Sequence, residues 1–106
     1  MDIDPTRAIE YIQKNAGVYA EAKSNRVHIE GYLKYLKASL MNKSDSNSLG
    51  AKETYAYSHP DYLDQLKAMQ IAVEMEERMK YLLEAAKMKV EVWKTQEYTK
   101  RTEMRI

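Results

Sequence analysis

The sequence predicts an all-α fold: an antiparallel helical hairpin with a long C-terminal helix, assembled into a helical oligomer. Three observations predict it. Glycine and proline are confined to a few positions, with none after Pro60. Apolar residues recur at three- and four-residue spacing over two long stretches, the repeat of one helix face. Between those stretches lies one loop-like segment, Lys43 to Gly50 (KSDSNSLG), rich in Ser, Asn and Asp.

The first helix is expected over about 5–42. Asp4 can cap free amides, and Pro5 fits the first helical position because its missing N–H has no partner there anyway. Ile9, Ile12, Ala16 and Tyr19 continue in phase to Ile29, Leu33, Leu36 and Leu40. Asn15-Ala16-Gly17 offers an alternative end, since Asn and Gly favour C-caps; continuation is preferred because the apolar face stays in phase across Gly17.

After the 43–50 loop, which is expected to be mobile, a short helical segment is expected over 51–57. Ser58-His59-Pro60-Asp61 then reads as a second start, with Ser58 as cap, Pro60 in the first turn and Asp61 at the capping-box position. The long helix is expected over about 59–104, some 65–70 Å at 1.5 Å per residue. Ala68, Ala72, Met75, Met79, Leu82 and Ala86 form one apolar row. Tyr62, Leu66, Met69, Val73, Leu83 and Val90 form another beside it. Together they are wider than a two-stranded coiled-coil seam and predict more than one neighbour.

An antiparallel register follows from pairing residues whose numbers add to about 102. Leu40 then faces Tyr62, Leu36 faces Leu66, Leu33 faces Met69 and Ile29 faces Val73. Toward the open end Ala16 meets Ala86, Ile12 meets Val90 and Ile9 meets Trp93. The same register sets Arg26 against Glu76, two charges that each interrupt an apolar stripe. Arg26, Glu76 and Trp93 are therefore given structural roles.

At 106 residues the chain is a single domain at most. With seven Met and no Phe its core should be thin and adaptable, and self-association would add stability. The absence of cysteine excludes disulfides, thiolate metal sites and a thiol nucleophile. The acidic start, Met1-Asp2-Ile3-Asp4-Pro5, lacks the order of a signal peptide, and no apolar run is long enough to span a membrane; a soluble, cytosolic protein is expected.

Catalysis finds little support. His28 and His59 have no metal-ligand spacing, and His28 and Glu30 fall on different sides of a helix. The pair Glu74 and Glu77 lacks the downstream Glu-x-x-Asp that a helical nucleotide pyrophosphohydrolase needs, because Lys94 stands three residues after Glu91. No glycine-rich phosphate loop is present. Neither an enzymatic role nor a cofactor or metal is expected.

Charge alternates along the chain: −2 over 1–22, +4 over 23–43, −4 over 44–86 and +3 over 87–106. The two basic segments carry interleaved aromatics, Tyr32 and Tyr35 in the first and Trp93 and Tyr98 in the second. Cations that neutralise phosphates and rings that stack on unpaired bases suit single-stranded DNA. The candidate binding residues are Lys34, Lys37, Lys94, Tyr98, Lys100, Arg101 and Arg105. The competing reading is equally physical: lysines on a solvated face and tyrosines at helical spacing inside an interface.

Gly31-Tyr32-Leu33-Lys34-Tyr35-Leu36-Lys37, then Ala56-Tyr57-Ser58-His59-Pro60-Asp61-Tyr62, then Glu84-Ala85-Ala86 leading to Glu91-Val92-Trp93-Lys94, resemble small helical bacteriophage and prophage proteins encoded near recombination genes. The resemblance covers roughly residues 20–101, and the layout more remotely resembles the UvsY class of recombination mediators. It implies an oligomeric accessory protein, cytoplasmic in a bacterial host, that binds single-stranded DNA, a recombinase or a single-strand-binding protein. The alternatives are a protein-binding module, such as a phage-encoded inhibitor of a host defence system, and a structural or assembly protein.

Overall fold

The computed structural model describes residues 2–105 as three helices, α1 (Pro5–Lys43), α2 (Leu49–Ser58) and α3 (Pro60–Met104), and the fold is all-α. Asp4 starts α1 as expected: its carboxylate accepts the amides of Thr6 at 3.0 Å and Arg7 at 3.3 Å. The helix runs through Gly17 without a break. No glycine takes a positive φ, so the left-handed C-cap that would end the helix there is absent.

The connecting loop is shorter than expected, and α2 begins at Leu49. A serine staircase explains the difference. Ser44 Oγ accepts the amide of Ser46, Ser46 Oγ accepts that of Ser48, and Ser48 Oγ caps α2 through the amide of Ala51 at 3.3 Å. The expected cap for α3 moves by one residue. Ser58 belongs to α2, where its hydroxyl donates to the Thr54 carbonyl at 2.6 Å. His59 instead takes the extended conformation that precedes a proline, and its Nδ1 accepts the amide of Asp61 at 3.1 Å. The capping partner is thus a ring nitrogen rather than the serine hydroxyl.

Two compact units make up the chain, and α1 and α3 each contribute a segment to both. In the unit formed by residues 22–76, the core is Leu36, Leu40 and Ala56, with Met41 and Tyr62 packed against it. Ala56 is fully buried, and its small side chain lets α2 lie close to α1. Around it Tyr57 meets Tyr62 edge-on at 5.2 Å, and the Lys37 ammonium sits over the Tyr57 ring at 4.7 Å.

In this unit Arg26 and Glu76 meet as the register predicts, and Tyr62 packs against the cluster that holds Leu40. Two other pairings shift by one residue. Leu66 and Val73 stay exposed, while Gln65 is half-buried and Ala72 buried. Along α3 the covered positions alternate by three and four, Tyr62, Gln65, Met69, Ala72 and Glu76, which is a narrow heptad seam. The wide stripe expected to touch several neighbours therefore stays largely uncovered.

The second unit joins residues 2–21 to 77–105. Its buried positions are Ala8, Leu83 and Ala86, with Ile12, Asn15, Val90 and Trp93 half-buried. Here too the heptad overrides the expected pairs: Ala8 rather than Ile9 is covered, and Asn15 rather than Ala16. Asn15 meets its polar requirement locally, its side-chain amide donating to the Tyr11 carbonyl at 2.9 Å.

Candidate nucleic-acid and partner interface

Seven-residue spacing sorts the charges of α3 as well as its core. In the 77–105 segment, Lys80, Lys87, Lys94 and Arg101 recur every seventh residue and form one basic ridge, with neighbours about 10.5 Å apart along the axis. A glutamate stands three residues before each of the first three: Glu77, Glu84 and Glu91. Of these pairs only Glu91–Lys94 closes to ion-pair distance, 3.1 Å, among the described residues. Arg101 has Tyr98 at that position instead, and Tyr98 is 72% exposed. Seven-residue spacing was the available signal for Lys80 and Lys87, which were missing from the predicted set.

The predicted binding residues fall into two environments. Lys94, Tyr98, Lys100, Arg101 and Arg105 are all exposed on the last turns of α3. Lys100 lies 3.5 Å from Glu97, an exposed pair of the same kind as Glu91–Lys94. Such pairs contribute little to stability and are readily exchanged for another anion. Trp93 is half-buried on the seam, so its ring is committed to packing rather than offered whole to a base.

Lys34 is exposed, whereas Lys37 is drawn against α2, over Tyr57 and 3.9 Å from Glu53. Its ammonium is raised above the ordinary lysine pKa, first by the Tyr57 side chain; partial burial opposes this and Glu53 adds to it. Arg26 is spoken for in the same unit. Its guanidinium spans Glu76 and Glu30, and the two carboxylates hold it far on the charged side.

A cleft of about 530 Å³ opens in the unit of residues 2–21 and 77–105. Ala8, Ala85 and Ala86 line it with Ile3, Tyr11 and Leu82, and its lining carries no histidine, serine or cysteine. Asp4, also at its edge, is occupied with the α1 cap. Among the described residues no group of three or more His, Asp or Glu is arranged to hold a metal. No helix there is long and apolar enough to cross a membrane.

Comparison with family models, with curated proteins and with solved structures finds no match.

Proposed function

We infer that this chain is a phage-type accessory recombination protein that works as an oligomer on single-stranded DNA, or on the recombinase or single-strand-binding protein that occupies it. The observation that carries the reading is the C-terminal basic surface of α3. Lys87, Lys94, Arg101 and the off-ridge Lys89 and Lys100 are all exposed, with Tyr98 open beside Arg101. Evenly spaced cations contact a backbone without regard to sequence, and an exposed ring can stack on an unpaired base. Each chain offers only a modest patch, and an oligomer multiplies it through effective concentration.

The test is binding of labelled oligothymidine over a salt series. Lys94→Gln, Lys100→Gln and Arg101→Gln together should weaken binding. They should also reduce the slope of log K against log salt by about 2, three cations on a single strand. Unchanged affinity and slope in the triple variant would remove the C-terminal surface from the reading.

One observation favours a second reading. Exposed apolar side chains, Ile71, Met75 and Leu82 among them, give α3 a surface that suits a protein better than a nucleic acid. A protein-binding module, such as an inhibitor of a host defence system, or an assembly protein would use that surface and ignore oligothymidine at any salt.

A further inference from the structure

Once the narrow seam is taken up within the chain, α3 retains a second heptad stripe. Ala68, Ile71 and Met75 carry it in the 22–76 unit; Leu82, Ala85 and Val92 carry it in the other. The intervals are three, four, seven, three and seven residues, the spacing that a knobs-into-holes partner requires. Ile71 is 62% exposed, Met75 52%, Leu82 45% and Val92 44%. Large apolar side chains repeated on one stripe at this exposure mark an interface.

Charge identifies the occupant. Residues 61–77 of α3 sum to −4 and residues 78–101 to +4. The helix is therefore complementary to itself when reversed, and repels itself when laid parallel. We propose that the stripe is the contact with a second copy of this chain, α3 against α3 in antiparallel orientation, about a two-fold axis near Arg78. Residues whose numbers add to about 157 then meet: Met75 with the partner's Leu82, Ile71 with the partner's Ala85, and the reverse. Each apolar half of the contact uses residues from one unit of each chain. Apolar burial supplies the affinity, and the surface charges, weak one by one, select the orientation. The oligomer of the proposed function would use this contact, but the contact does not depend on DNA.

The native chain lacks cysteine, so introduced thiols report on register. The experiment compares Met75→Cys, Leu82→Cys and the double variant under mild oxidation, without DNA, alongside sedimentation of the unmodified protein. The antiparallel contact predicts a covalent dimer from the double variant and little from either single one. A parallel contact would cross-link each single variant and overturn the proposal, as would a monomer at all concentrations up to about 100 times the micromolar range of modest interfaces. Met75→Glu with Leu82→Glu should weaken self-association by about 100-fold or more, as expected from losing two apolar anchors, while circular dichroism stays helical. An unchanged mass in that variant would also overturn it. Because both positions are exposed in the single chain, loss of folding is not expected to mask the result.

Discussion

Arg26 Nε donates to Glu76 Oε2 at 2.6 Å and Nη2 to Oε1 at 3.1 Å, a two-bond fork between α1 and α3 where both helices would otherwise bury apolar side chains. The Glu76 side chain is only 9% exposed, and Nη1 is tied to Glu30 at 2.7 Å. The geometry fixes which residues of the two helices stand opposite each other. It is a weaker source of stability, because both charges give up water to meet.

Removing one partner should therefore cost far more than removing both. Arg26→Leu leaves the Glu76 carboxylate buried without its guanidinium, and the thermal midpoint should fall by more than about 5 °C. Arg26→Leu with Glu76→Leu should recover most of the loss or exceed the parent, at the risk of register slippage. Thermal unfolding followed by circular dichroism decides. If the double variant is less stable than Arg26→Leu, the pair stabilises the fold rather than aligning it.

Gly17 and Gly31 lie within α1 at positions where an added Cβ would meet nothing within 4 Å. Neither uses a positive φ. Alanine at either site should stabilise the chain by about 0.5–1 kcal/mol, by narrowing the unfolded ensemble and favouring the helix. Urea unfolding measures this directly. A destabilised Gly17→Ala or Gly31→Ala would mean that another surface approaches α1 closely at that glycine.

Leu40 is the largest fully buried side chain, and Ala56 beside it has no exposed surface. Leu40→Ala should cost about 2–5 kcal/mol and loosen α2 from the 22–76 unit. Ala56→Leu should cost about 1–3 kcal/mol for the opposite reason, since the close approach of α2 leaves no room for three more carbons. Both predictions are checked by urea unfolding, with hydrogen exchange on α2 as the local readout. Ala56→Leu at parent stability would show that α2 can move away freely.

The sequence carried the helix starts and the Arg26–Glu76 register, because a cap and an interrupting charge are local marks that survive without neighbours. It did not carry the choice between adjacent rows. Ile9 and Ala8, or Val73 and Ala72, are equally compatible with a helix face, and hydrophobicity alone favours the larger residue of each pair. The structure chose the smaller ones because close helix packing follows an unbroken three–four alternation, through polar Asn15 and Gln65 if necessary. In the candidate interface, the cations near the end of α3 were visible by composition. Their sorting into a seven-residue ridge required knowing which stripe was buried. Lys37 was not legible at all: its environment is made by α2 folding back, a contact between residues 37 and 57 that no local pattern announces.

That contact gives Lys37 a pH signature. Its folded pKa is raised above the unfolded value of 10.5, first through Tyr57, with Glu53 adding to the pull. A raised pKa means that the folded state binds the proton more tightly. The stabilisation is then fully present below the unfolded pKa and disappears as pH rises through the folded one. Lys37→Met should be less stable than the parent at neutral pH by a small amount, since the site is partly open to water. The difference should hold up to about pH 10 and shrink above 10.5. Tyrosine ionisation will lower both curves in that range, so the quantity to follow is the difference between the two proteins at each pH, from urea midpoints. A difference that stays constant through pH 12, or widens, would mean that Lys37 acts by packing its aliphatic stem on Tyr57 and not through its charge.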